Sequence, residues 1–339
     1  VVATQAPAAT PITPQSPTEV PATAAPSAAT PTTAGVVDLG QVPYISSKVE
    51  TISVDFLSNA PTLQAFDSIW FVAETLGRVT RWDPGTRQVL ATIQVGDLAK
   101  AKYGDPKAAV ATDDAVWIIS SGTQEVVKVD PQTNEIVDRI SLPKVDGRDL
   151  DAVSYMVLVG DTAWVHDYAK HIAQGVDLET GEAAGTFTNV TAISSLDGSL
   201  WISRADGVVA QIDPETNEVV KELPRGSPLP VLSAEGSMWG FKDSIWRMDP
   251  ETGETLAKII LGVPVRDMEF ASGSVWATVS PGAPPECHNG SYLVKIDPKT
   301  NTVVAKTALD CPFDITPYKD TVWVDGEDDN HTLLTQVRP

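Results

Sequence analysis

Seven tryptophans recur along this chain at intervals of 37 to 47 residues: Trp70, Trp117, Trp164, Trp201, Trp239, Trp276 and Trp323. Asp or Gly stands three residues before every one of them, as Asp67, Asp114, Asp161, Gly198, Gly236, Gly273 and Asp320. These two residue types tolerate the backbone of a tight hairpin turn, so each Trp falls on the strand that follows the turn. A unit repeated about every 40 residues is one supersecondary element that buries its faces only by stacking on its neighbours.

A second marker follows six of the seven tryptophans. It reads Asp-Pro-Gly-Thr from Asp83, Asp-Pro-Gln-Thr from Asp130, Asp-Leu-Glu-Thr from Asp177, Asp-Pro-Glu-Thr from Asp213 and Asp249, and Asp-Pro-Lys-Thr from Asp297. The next residue is Asn or Gly in five of them, with Arg87 the exception. Asp accepts a local backbone hydrogen bond, Pro presets φ, and Asn or Gly accepts a positive φ, which is hairpin chemistry. No sustained 3.6-residue apolar period exists. Each unit therefore reads as four short antiparallel strands, and the chain as an all-β, seven-bladed β-propeller. Residues 46–339 number 294, or 42 per blade. The last unit stops one strand short, and residues 48–54 (Lys-Val-Glu-Thr-Ile-Ser-Val) resemble the outer strand of the first. They are expected to close the last blade and remove its open edge. The sequence leaves open whether that strand comes from the same chain or a neighbouring one.

Before the ring lies a tail, residues 1–45, that is Ala/Pro/Thr-rich. Up to Gly35 it holds one charge, Glu19, and no aromatic residue. Such a segment buries too little area to offset its ordering entropy, so it reads as a linker or spacer. The chain begins without Met or a signal-peptide pattern and is expected to be a trimmed form. Forty-five acidic against 24 basic residues give a net charge of −21, which repels nucleic acid and anionic lipid. No run of apolar residues is long enough to span a membrane as a helix.

The Trp-Val or Trp-Ile strand, the Val-x-x-Asp-Pro-x-Thr-Asn turn and the Val-x-x-x-Ile strand after it resemble the YVTN-repeat and streptogramin B lyase-like group of bacterial propellers. The resemblance covers roughly residues 48–339 and implies the propeller fold. Lyase-type members use a metal held by His and Glu near the channel. Here His166, His171, His288 and His331 stand in no His-x-Glu or Glu-x-His pair. The docking motif of quinone-dependent propeller dehydrogenases is absent as well.

Candidate ligand-binding residues come from the loops expected to meet at the channel mouth. Those entering the inner strands carry Arg148, Asp149, Arg266, Asp267 and Asp314, with Asp105 and Lys107. Those between the second and third strands carry Glu74, His166, Asp167, Arg204, Lys242 and Glu327, with Asp325. This mixed-charge ring suits a small ligand or a peptide, and equally a set of salt-bridged solvent loops. The run from Asp325 to Asn330 has oxygen ligands for a divalent ion such as Ca²⁺ or Mg²⁺, but lacks EF-hand spacing and reads as a solvated loop. No cofactor, metal-ligand set or catalytic group stands out. Cys287 and Cys311, the only cysteines, are expected to form a disulfide, in keeping with an extracellular location. Trp82 takes a core slot, and Trp246 sits two positions before that slot, where it is partly exposed.

The leading expectation is a secreted or cell-surface, non-catalytic propeller that acts as a binding scaffold for a protein or surface partner, tethered by its tail. A self-assembling structural subunit linked through the tail or closing strand is a second reading, and a metal-dependent lyase-like enzyme a third.

Overall fold

The structure is a computed structural model that describes residues 32–338 other than 47, 56–61, 74–76, 97–107, 121, 151, 283–285 and 329–330. The first 31 residues of the expected tail therefore lie outside the described residues, as do Glu74, Asp105, Lys107, Asp329 and Asn330. In each Asp-Pro-x-Thr-type turn, Oδ1 of the Asp accepts the amide two residues on, at 2.7 to 3.0 Å. The residue four after the Asp donates its amide back to the Asp carbonyl and adopts a φ between 58° and 75°. Amide donors, chiefly those of Thr180, Thr216 and Thr252, hold the Asp177, Asp213 and Asp249 carboxyls below the usual carboxylate range. Each turn thus returns the third strand as a fourth, outer strand.

Seven four-stranded antiparallel meanders result. Blades 1 to 6 span 62–94, 109–141, 153–188, 190–222, 230–260 and 265–308. Blade 7 comprises Pro312–Tyr318, Thr321–Glu327, Thr332–Val337 and, as its outer strand, Val49–Val54 from the same chain. That strand pairs from Val49↔Val337 to Val54↔Thr332, so the ring closes on itself. In blades 1 to 6 the register slips just after the outer turn, as between Ile136 and Asp138. Such a bulge twists the exposed edge and discourages strand pairing between molecules.

The seven tryptophans lie on the second strands and are 0–3% exposed. In four blades the residue paired with the Trp on the third strand is a cation that covers the ring: Arg81 over Trp70, Lys128 over Trp117, Arg247 over Trp239 and Lys295 over Trp276, at 5.1 to 5.6 Å. Blade 4 uses Lys221 from the outer strand instead. Blade 3 has Gly175 opposite Trp164, and a Cβ there would stand 3.1 Å from the indole, so Phe187 packs on the ring at 5.5 Å. Several cations also reach the next blade. Arg81 bonds Pro131 O and Asn134 Oδ1 of the second blade's outer turn, and Arg247 bonds Pro298 O and Asn301 Oδ1 of the sixth's.

The seam between blades 7 and 1 is aromatic. Trp82, buried as its slot predicts, meets Trp323 edge-on at 5.0 Å and Phe71 at 6.3 Å. Arg87, the one turn residue that is neither Asn nor Gly, holds a φ of 60° and bonds Glu50 of the closing strand at 2.8 Å. Its guanidinium, with Lys48, holds the Glu50 carboxyl down to about 2.

Residues 32–45, which the sequence places in the tail, form a strap outside blades 5 and 6. Thr32–Val36 adds a parallel fifth strand to Thr255–Ile260, the outer strand of blade 5. The chain then crosses to blade 6, where Ile45 and Lys306 exchange backbone contacts with the outer strand and strap. Val37 and Leu39 pack on the core between blades 5 and 6, and Ile45 on that between 6 and 7. These apolar side chains, sparse in the Ala/Pro/Thr-rich stretch before them, supply the area that ordering requires. Lys306 pins the strap. It is 4% exposed, donates to Leu39 O, and lies over Tyr44 and Tyr292 at 4.9 and 4.8 Å.

Replacing Lys306 with Ala leaves the Leu39 carbonyl without this donor and is expected to cost about 1–3 kcal/mol. Hydrogen exchange should accelerate at the Val37 and Ile45 amides while blades 1 to 3 keep their protection. Uniform loosening of all blades would show that the lysine supports the ring rather than the strap.

Candidate functional site

Antiparallel order gives the ring two ends. One carries the turns before the tryptophans and the Asp-Pro-x-Thr turns. At the other, inner strands begin and second strands hand over to third strands. In blades 3 to 7 the inner strand slips register near its start, as at Val153/Tyr155, Val190/Ala192, Pro230/Leu232, Val265/Asp267 and Pro312/Ile315. A bulge turns backbone groups out of their own sheet, and these must find other partners. Side chains of the preceding blade provide them. His166 Nε2 meets Val190 O at 3.1 Å, Ser194 Oγ donates to Pro230 O at 2.6 Å, and Thr278 Oγ1 donates to Phe313 O at 2.9 Å. Ile315 N donates to Asp267 Oδ2 at 2.8 Å, and Thr62 N of blade 1 donates to Asp314 Oδ2 at 3.0 Å.

Three expected site residues thus lace blade to blade. His166 and Asp314 are 5% exposed and Asp267 is half-buried. Beside them lies Asp325, whose Oδ1 accepts the Asp314 amide at 2.7 Å. The second strand of blade 7 runs through Glu327, so Asp325 belongs to the sheet at 2% exposure and not to a solvated loop. The alternating apolar pattern of Val322, Val324 and Gly326 was the missed signal. Its Oδ2 has no hydrogen-bond partner among the described residues. Burial, then the like charges of Asp314 and Asp267, push the Asp325 carboxyl well above the usual range. Burial also raises Glu327, which His288 opposes.

The other expected residues do not converge. Arg204 is bonded to Asp206 and Glu222 of its own blade at 2.9 and 2.8 Å. Asp149 pairs with Lys144 at 3.0 Å, and Arg148 and Lys242 are exposed. Asp167 is buried and accepts the Lys170 amide at 3.0 Å. Arg266 donates to Gly282 O at 2.8 Å, just after the second strand of its own blade. Cys287 and Cys311 are joined in a disulfide, with Cα atoms 4.7 Å apart. Trp246 is half-buried beneath Lys258, which lies 4.4 Å from its ring.

Between the inner strands lies a central cavity of about 300 Å³. Its polar lining includes Thr62, Tyr155, Ser194, Ser195, Glu269 and Thr316, and no Lys or Arg lines it among the described residues. For Ser194, Glu269 and Thr316 the sequence holds a signal. The residue seven before each Trp pairs with it across the hairpin: Leu63, Val110, Val157, Ser194, Leu232, Glu269 and Thr316. Glu269 is the single charge in that ring.

A solved streptogramin B lyase is similar to this chain in fold, with a TM-score of 0.63 over 86% of this chain and 97% of that one, at 14% identity. No protein-family model matches the chain, and no curated protein matches it in sequence.

Because the Asp325 carboxyl is raised, the folded state holds its proton more tightly than the unfolded chain. The resulting stabilisation is complete below the ordinary value of 3.8 and is lost as pH rises through the raised folded value. Asp325→Asn, which stays neutral, should therefore gain stability relative to the native protein as the pH of urea unfolding is raised from acid to mildly alkaline. A pH-independent difference would show that folding leaves the carboxyl's proton affinity unchanged. Asp314→Ala, which leaves the Thr62 amide unpaired, should cost about 1–3 kcal/mol.

Proposed function

We propose that this protein is an extracellular or surface-displayed propeller that acts by binding, and that its central cavity receives a basic side chain or amine of a protein or surface partner. The observation behind this reading is Glu269, the one charged residue among the described lining of a cavity of about 300 Å³. One carboxylate among hydroxyls and aliphatic groups, inside a chain of net charge −21, favours a cation. An aminoalkyl chain matches both parts, its methylenes against Met156 and Val157 and its ammonium toward Glu269. The acids at the mouth are committed largely to lacing blades, so the reading invokes no acid–base chemistry from them.

Calorimetric titration with a short glycine-rich peptide carrying one lysine should show saturable binding that weakens with salt. Glu269→Gln should reduce the affinity at least about tenfold, the scale of one charge-assisted hydrogen bond. The norleucine analogue should not bind. Equal binding of both peptides, or none to a folded ring, would overturn the proposal.

A further inference from the structure

Where the chain crosses from blade 6 to blade 7 it meets the loop between the second and third strands of blade 6, and two dipeptides whose cysteines are 24 residues apart come together. Cys287-His288 lies on the short turn Glu286–His288, and Asp310-Cys311 directly precedes the inner strand of blade 7. His288 Nδ1 lies 2.7 Å from Asp310 Oδ1 and 3.3 Å from Cys311 Sγ, with Nε2 4.0 Å from that sulfur. One ligand atom from each of Cys287, His288 and Cys311 lies within 4.8 Å of the others. The cysteines are 2% and 1% exposed, and both border a cleft of about 100 Å³ with Arg266, Ser280 and Phe313.

We propose that this cluster is a zinc site whenever the disulfide is open. The two thiolates and the His288 imidazole would bind Zn²⁺, and water would take the fourth position. Tetrahedral zinc with sulfur and nitrogen ligands sets neighbouring ligand atoms about 3.3–3.8 Å apart; His288 Nε2 already stands 4.0 Å from the Cys311 sulfur, and opening the disulfide frees the two sulfurs to separate to that spacing. Asp310 is a positioning residue. By bonding Nδ1 it fixes the ring and leaves Nε2 for the metal, as carboxylates do for zinc-bound histidines.

The loops are held by contacts other than the sulfur bond. Ser291 Oγ donates to Cys287 O at 2.7 Å, and Leu309 N donates to Ser291 O at 3.2 Å. The Asp310 carbonyl rests against Gly326, where a Cβ would stand 2.6 Å from it. The chemistry balances in two steps. A dithiol gives two electrons and two protons to the disulfide, becoming a disulfide itself and leaving two cysteine thiols. Zn²⁺ then displaces the two thiol protons and binds the thiolates. The crossing loop therefore has two exclusive closures, one covalent and one metallic.

The test uses the full chain, reduced with a phosphine under anaerobic conditions and titrated with Co²⁺. One equivalent should bind with thiolate-to-cobalt charge-transfer absorption, and Zn²⁺ should displace it. The Cys287→Ser/Cys311→Ser double variant should be silent, His288→Ala should lose most of the affinity, and Asp310→Asn should weaken binding about tenfold. The oxidised chain should give no signal. A folded, reduced ring that takes up no cobalt, or a His288→Ala variant that binds as the native chain does, overturns the proposal. Gel filtration and circular dichroism of the reduced chain close the remaining case. Unfolding that Zn²⁺ reverses supports the site, and unfolding that Zn²⁺ leaves unchanged overturns it.

Discussion

The arrangement everything else rests on is the buried Trp of each second strand, covered in four blades by the long cation opposite it. The indole fills the space between adjacent blades, where burial of an aromatic ring contributes most. The cation seals its far face and, in blades 1 and 5, carries a guanidinium on to the outer turn of the following blade. One side chain thereby couples packing within a sheet to packing between sheets. Where the cation opposite is missing, the substitute is local and different: a lysine from the outer strand in blade 4, Gly175 and a phenylalanine in blade 3. The ring tolerates such exchanges because only the indole's position must be kept.

That constraint explains what was legible in the sequence. Turn chemistry and the Trp spacing depend on residues a few positions apart, so the blades, the closing strand and the disulfide follow from them. The lacing at the channel mouth was not legible in the same way. Asp267, His166 and Asp314 look like ligands because they are polar and share one end of the ring, but their partners are backbone groups of the next blade, which leave no local signature. Asp325 was misplaced because the Gly and three acids after it resemble a loop, whereas pairing with Thr332–Val337 carries the strand past it. Glu269 needed register: its singularity shows only when residues are counted back from each Trp.

Closure gathers the chain's least ordinary choices. Arg87 accepts a left-handed backbone for which Asn or Gly is cheaper, and gains an ion pair across the seam. Trp82 and Trp323 meet edge-to-face where first and last blades join. Seen this way, the mixture of strained turn and aromatic pair is concentrated where the ring would otherwise begin to open, and the regular turns are left to blades whose neighbours are covalently continuous.

The strap has a mechanical consequence. Because Thr32–Val36 runs parallel to the outer strand of blade 5, its first residue sits at the turn end of the ring, opposite the mouth where Asp314 and Asp325 lie. A pull on the chain ahead of Thr32, directed away from that end, loads the ladder along its length, so its hydrogen bonds share the force instead of opening one at a time. Tension of that kind would be borne by blade 5 before it reached the closing strand, sparing the seam on which the ring depends.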